Sequence, residues 1–306
     1  MKITVFVKNY ARVGYAKDDI QEIDYKEAEV IYNDNKDVLE ETHFSPENQC
    51  LSRLVNEYDE NNKLIHSLLY DEEGELAKKT ICQYDSEGDL CERSDFYGEE
   101  GMAYTSRFVY ENHLPIRQDA YDDDEFSYTE KEMEYQDGLL VKQVDYDDFG
   151  EKQYIHQYTY NENREITSYV RDEVKEKDRR TFLYTYEDGK KVKELIYNYS
   201  DTLIAAKYFV YDEKGRLIEA EEEDLDSYQK MVYQYEENHL ASVTQYNKEE
   251  KIVARTDFFV DEQGRDSKMM NYALDEVDPE NLRLISEISY EREAWMKRLF
   301  VAVGVQ

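Results

Sequence analysis

The chain has 306 residues, with 72 acidic against 38 basic side chains and a formal net charge of -34 spread along its whole length. That balance excludes direct phosphate-backbone binding, which needs clustered Lys and Arg, and disfavours an anionic membrane surface. With 40% hydrophobic residues and 30 Tyr against 3 Pro, the composition is that of a folding chain and not of an acidic disordered tail.

At the N-terminus, Met1 to Tyr10 alternates Ile3, Val5 and Val7 with other residues and lacks the unbroken apolar run of a signal peptide, so it predicts a first strand. No segment is long and apolar enough to span a bilayer as a helix. Cys50, Cys82 and Cys91 are too few and too irregular for a disulfide framework. Together with the missing export signal, they predict a reducing cytoplasm.

From Tyr32 onward the chain repeats. The anchors Tyr32, Tyr58, Tyr84, Tyr110, Tyr135, Tyr160, Tyr186, Tyr211, Tyr235 and Val260 follow one another at spacings of 26, 26, 26, 25, 25, 26, 25, 24 and 25. Six positions after them stand Val38, Leu64, Leu90, Ile116, Val141, Ile166, Val192, Leu217, Ala241 and Asp266. An aromatic recurs two positions before the anchor at Phe108, Tyr158, Tyr184, Phe209, Tyr233 and Phe258, which is strand periodicity on one face. Length alone suggests about two domains. Repetition instead predicts one elongated domain with a shared core: N-terminal strands over 1–31, repeats over 32–278 and a C-terminal cap over 279–306.

Between anchor and apolar partner lies a turn, clearest at Tyr84-Asp85-Ser86-Glu87-Gly88-Asp89-Leu90 and at Tyr211-Asp212-Glu213-Lys214-Gly215-Arg216-Leu217. Asp first and Gly fourth suit a type I turn followed by a left-handed residue, placing Tyr84 opposite Leu90 and Tyr211 opposite Leu217. Gln136-Asp137-Gly138 and Glu187-Asp188-Gly189 carry Gly one place earlier and suit a two-residue turn, with the register there left open. A second turn falls halfway through each unit, after Tyr70, Tyr97, Tyr121, Tyr146, Tyr197, Tyr246 and Tyr272. The expected fold is therefore all-β: tandem hairpin repeats of about 25 residues in a meander of about twenty strands, forming a curled or spiral antiparallel sheet with a concave face. Trp295, Leu299, Phe300 and Val303 stand at helical spacing, so a helix within Ser289 to Val303 is expected to cover the last strand.

The Tyr-Asp-x-x-Gly-Arg-Leu string at Tyr211 to Leu217, with partial copies at Tyr58, Tyr70, Tyr84 and Tyr146, resembles the YD repeat of the RHS family over nearly the whole chain. The resemblance implies a β-sheet shell built of such repeats; in the large members the shell encloses a toxic C-terminal domain. This chain is short for a container, and no toxin domain is expected after its last repeat. Asp278-Pro279 stands where the family's self-cleaving end would begin, but Glu280-Asn281 lacks the Gly-rich continuation, so autoproteolysis is not implied.

Catalytic and cofactor signatures are missing: there is no Gly-x-Gly-x-x-Gly, P-loop or His-Glu-x-x-His. His43, His66, His113, His156 and His239 are scattered, and the Glu-Asn-His strings ending at His113 and His239 read as equivalent turns. Cys82 is expected opposite Glu92, with Cys91 on the other face, which argues against a disulfide or shared metal. The tyrosines read first as the sheet's own packing and second as a sugar or protein platform. The runs Asp122-Asp123-Asp124-Glu125 and Glu221-Glu222-Glu223-Asp224 lack the spaced ligand pattern of a calcium loop and are the candidate partner-binding residues.

The reading is a non-enzymatic, cofactor-free acidic module that captures a basic protein, as an immunity factor against a toxin would. The alternatives are a nucleic-acid-mimicking inhibitor of a nucleic-acid-binding protein and a carbohydrate-binding β-repeat protein.

Overall fold

The computed structural model describes residues 1–14, 16, 19–98, 101–122, 125–275, 278 and 281–293. Their strands run β1 (Lys2–Arg12), β2 (Ile20–Tyr32), β3 (Val38–Phe44), β4 (Cys50–Tyr58), β5 (Leu64–Tyr70), β6 (Leu76–Tyr84), β7 (Leu90–Tyr97), β8 (Met102–Glu111), β9 (Leu114–Asp122), β10 (Glu125–Gln136) and β11 (Leu139–Tyr146). They continue as β12 (Lys152–Tyr160), β13 (Ile166–Glu173), β14 (Asp178–Glu187), β15 (Lys190–Tyr197), β16 (Leu203–Tyr211), β17 (Leu217–Asp224), β18 (Tyr228–Glu236), β19 (His239–Tyr246), β20 (Ile252–Val260), β21 (Asp266–Leu274) and β22 (Leu282–Glu293). The described residues contain no helix. Ser289 to Glu293, where the expected helix would begin, complete β22, and the rest of that expectation lies outside the described residues.

Each strand pairs antiparallel with its neighbours in sequence, and β1 pairs with β2 on one side and with β22 on the other, from Lys2↔Glu293 to Asn9↔Ser286. The sheet is therefore a closed up-and-down barrel and not the curled or spiral sheet expected from the repeats. Closure is one of the outcomes open to a twisted sheet of this size, and it removes both edges, which would otherwise invite pairing with other chains. The seam is fastened beyond its ladder. Arg12 donates to both Asp275 carboxylate oxygens at 2.8 and 2.7 Å, and the Tyr10 phenol donates to Glu287 at 2.5 Å.

The wall is a single layer. At strand spacings of about 4.8 Å and tilts of roughly 40°, 22 strands enclose a ring on the order of 40 Å across. The accessible surface is 20483 Å² for a 36.7 kDa chain, where a compact chain of that mass would expose about 13,500 Å². Among the described residues the buried apolar side chains are only Val7, Ala28, Ala120, Val144 and Ala206, all small. Cohesion comes from ladders and turns, with most side chains half-buried on one wall face or the other.

Turn chemistry sets the register. In the five-residue turns, such as 59–63, 85–89, 147–151, 198–202 and 212–216, the first residue's Oδ1 accepts the N–H groups two and four residues on, as Asp85 does from Glu87 and Asp89 at 2.9 Å each. The fourth residue is left-handed, as at Gly88 (φ 92) and Gly215 (φ 81), where only glycine enters without strain. Tyr84 pairs with Leu90 and Tyr211 with Leu217, as the spacing predicts. A bulge follows each pair, so Cys82 faces Arg93 and not Glu92. In the two-residue turns the register moves by one: Tyr135 pairs with Leu140 and Tyr186 with Lys191, not with Val141 and Val192. His113 sits inside its turn at φ 61, whereas His239 opens β19, so the two Glu-Asn-His strings are not equivalent after all.

Directly paired residues share a face, so the anchors Tyr32, Tyr58, Tyr84, Tyr160 and Tyr211 all fall on one wall face, at one end of the barrel. We call that end rim I. It carries turns 33–37, 59–63, 85–89, 112–113, 137–138, 161–165, 188–189, 212–216, 237–238 and 261–265. The alternate turns form rim II. Towards rim I the ladder between β5 and β6 stops at His66↔Ile81, and the strands splay. The Tyr84 phenol closes that opening by donating to the Leu64 carbonyl at 3.0 Å. Tyr58 to Val38, Tyr160 to Leu140, Tyr211 to Lys191 and Tyr235 to Leu217 repeat the device. The recurring tyrosine thus holds neighbouring hairpins together where the backbone ladder has run out.

Candidate functional site

Both acidic runs fall at rim II. Asp122 ends β9 and Glu125 opens β10, both exposed, while Asp123 and Asp124 lie outside the described residues. The second run ends β17, where strand alternation splits it: Glu222 and Asp224 lie on the tyrosine face, Glu221 and Glu223 on the other. Much of its charge is already answered. Lys207 lies 2.8 Å from Glu222 and Lys248 lies 2.7 Å from Glu223, while Asp224 accepts the Asp226 and Ser227 amides at 2.8 and 2.6 Å. The hydrogen bond from Lys207 and the amides at Asp224 hold both carboxyls below their ordinary range, so they remain anionic in mild acid. The two runs lie four turns apart along the same rim and form no single cluster.

What the runs flank was not singled out from the sequence. At or beside six consecutive rim II turns, from β7 to β18, large apolar side chains stand in solvent, among them Tyr97, Phe126, Phe149, Val174, Tyr199 and Leu225. Phe149 is 83% exposed, Leu225 74% and Tyr199 64%, each at the tip of its turn. Turns on one rim recur every second strand, about 10 Å apart, so the tips trace an arc on the order of 50 Å long. Carboxylates border each tip: Asp147, Asp148 and Glu151 around Phe149, Asp201 near Tyr199, Asp224 and Asp226 around Leu225. Rim I turns contain no apolar side chain apart from glycine. The signal was in the sequence, as an apolar residue at a turn tip in the second turn series only.

The remaining candidates have structural roles. Tyr169 stacks on Tyr158 with centroids 5.0 Å apart and on Phe182 at 5.2 Å, with His156 at 5.9 Å and nearly parallel. Rings stacked at the strand spacing stand upright on the sheet and spend their faces on one another, which argues against a sugar platform. Burial pushes the Tyr184 phenol up to about 12 and raises the Cys82 thiol, leaving that sulfur a poor nucleophile. His113 bridges two rim I turns, with Nδ1 2.7 Å from Asp89 and Nε2 3.8 Å from Glu87. This trio could approach one ion. Lys63 to the Gly88 carbonyl and Arg216 to the Glu237 carbonyl make the same kind of clasp between turns, so His113 is one more clasp in that series.

No family model matches the chain, and neither does any curated protein. Among solved structures, a chain of the TcdB2-TccC3-TEV structure is similar over 86% of this chain at 12% identity and a TM-score of 0.40. This chain spans only 14% of that chain's length. A porin-like protein from Bacteroides uniformis is similar at 8% identity and a TM-score of 0.35, covering 95% of this chain and 97% of its own.

Proposed function

We propose that the barrel is a non-enzymatic, water-exposed cytoplasmic module that captures a basic protein on rim II, as an immunity-type protein neutralising a toxin would. The observation that carries the reading is the apolar arc from Tyr97 to Leu225, set among carboxylates on a chain of net charge -34. Exposed aromatics supply the anchors of protein interfaces, while surrounding charge speeds encounter and selects the partner's sign. An acidic second copy is a poor occupant, because the same charge repels it.

A barrel wall in water is also what the side chains favour. Asp95 and Glu222 stand on the tyrosine face, and Lys79, Asp119 and Lys230 on the other, so neither face offers lipid an uninterrupted apolar band. A Lys or Arg facing lipid near the midplane would cost about 2–4 kcal/mol. The resemblance of the repeats to the RHS family is what suggests a toxin as the partner; the arc accounts for the binding.

The test is affinity purification of the tagged chain from its native host, beside a Phe149→Ser, Tyr199→Ser, Leu225→Ser variant, washed at low and then high salt. A basic protein retained by the parent at low salt, shed at high salt and lost by the variant supports the reading. Enrichment of no basic protein, or equal retention by the variant, overturns it.

A further inference from the structure

We infer a second binding site on the opposite rim: the cleft between β9 and β10 accepts an extended basic peptide as an added strand. The inference is independent of rim II and names a different class of ligand, a flexible segment in place of a folded surface.

The ladder between β9 and β10 stops at Arg117↔Glu132, leaving Leu114 to Ile116 and Met133 to Gln136 unpaired with one another. At the equivalent openings after Tyr58, Tyr84, Tyr160, Tyr211 and Tyr235, a phenol-to-carbonyl bond spans the gap. Among the described residues no such bond spans this one, although Tyr135 occupies the anchor position; Tyr110 and Tyr186 also make none, and the opening beside Tyr135 is set apart from theirs by its cavity. What remains is a cavity of about 840 Å³, against 340 Å³ at the phenol-bridged opening between β11 and β12. The opening between β19 and β20, where Val260 replaces the anchor tyrosine, holds 460 Å³.

The lining specifies the ligand. Ile116, Met133 and Tyr135 give an apolar floor, while Glu111, Glu132 and Glu134 place three carboxylates around it. Arg117, the cation among the lining residues, donates to Asp119 at 2.8 Å; of the glutamates, Glu134 is paired with Lys142 and Glu132 accepts the Tyr146 phenol, both at 2.5 Å, which leaves Glu111 and the second Glu132 oxygen to meet a ligand's charge. Exposed strand edges bind peptides through main-chain hydrogen bonds, with alternate side chains entering pockets. Pro115 has no amide to donate, so β10 supplies the edge, through Met133 to Gln136. A strand alternating Lys or Arg with aliphatic residues would send its aliphatic side chains to the floor and its cations to Glu111 and Glu132.

The experiment uses the full chain and a labelled peptide alternating Lys and Val over seven residues, with a second peptide N-methylated at alternate residues to remove the donors on one edge. Binding of the first is expected, weakened at least tenfold by N-methylation, by Met133→Trp, which fills the cleft, and by Glu111→Gln with Glu132→Gln. Hydrogen exchange should slow at Met133 to Gln136 when the peptide binds. Equal binding of both peptides, unchanged exchange there, or no binding up to ~1 mM peptide overturns the inference. Should Met133→Trp disturb the fold by circular dichroism, the glutamine pair and the exchange data decide alone. The rim II serine variant should bind the peptide normally, so loss of the host partner and loss of the peptide report on separate sites.

Discussion

Rims I and II share one five-residue turn, with an Asp or Asn at the first position, whose side chain takes two amides, and a left-handed residue at the fourth, as at 85–89 of rim I and 147–151 of rim II; each rim also carries shorter turns. They put their apolar residues to different uses. At rim I the aromatic stands just before the turn, lies against the wall and donates its phenol to a neighbouring carbonyl, as Tyr84 does to Leu64. At rim II, over half the circumference, a further apolar residue stands at or beside the tip, as in Phe149, Tyr199 and Leu225, where it contributes little to the wall. The lesson is that one repeat can hold a barrel together at one end and present a surface at the other, by adding an exposed apolar residue within the turn while the tyrosine before it, as Tyr146 or Tyr197, stays on the strand.

The comparison breaks most sharply at the seam. Arg12→Met removes a bidentate partner of a nearly buried carboxylate, with side-chain exposures of 9% and 11% at Arg12 and Asp275. It should destabilise the barrel by roughly 3 kcal/mol or more, read by denaturant titration. Next comes the arc: the triple serine variant should lose about 2 kcal/mol or more of partner binding, roughly thirtyfold in Kd, with an unchanged melting temperature. The converse variants, Tyr84→Phe and Tyr211→Phe, should each cost about 1 kcal/mol of stability and leave partner binding intact. A loss of binding with either phenylalanine would end the division of labour between the rims.

Glycine tests whether the turns themselves are interchangeable. Gly74 at rim II has φ 79 and open space around an added Cβ, while at Gly215 of rim I (φ 81) the Cβ would meet the mobile end of Lys190 at 2.6 Å. Alanine should cost about 1 kcal/mol at both, because the left-handed backbone and not the neighbour sets the penalty.

The smallest effect is pH-dependent. The hydrogen bond and charge of Asp89, with Glu87 and Asp85 nearby, raise the His113 pKa above its ordinary 6.5. A raised folded-state value means that the clasp's contribution is fully present below about pH 6.5 and fades as pH rises through the folded value. A nuclear magnetic resonance titration should place the His113 midpoint above 6.5. His113→Gln should remove the slight loss of melting temperature between pH 6 and 8 and leave rim II binding untouched.

Much of this architecture could be read from residue types and spacings. The period of 24 to 26, the Asp-x-x-Gly turns and the two-residue alternation predict hairpins, their number and the pairing of Tyr84 with Leu90, because each depends on backbone geometry within a few residues. The one-place shift at Tyr135 and Tyr186 was open because Asp-Gly suits a different turn length, and only the formed ladder shows which residue faces which. The Cys82 partner was misjudged for a similar reason: the bulge after Leu90 adds a residue that spacing does not announce.

Local sequence thus determined the strands, the turns and the acidic surface, through interactions that each hairpin completes by itself. Closure was a tertiary matter, since a meander of these hairpins could coil or close, and Lys2 to Asn9 meets Ser286 to Glu293 only when accumulated twist returns the last strand to the first. The grouping of Tyr97, Phe126, Phe149, Val174, Tyr199 and Leu225 on one arc follows from the same event. Residues spread over more than a hundred positions become neighbours along a rim when the ring that carries them forms.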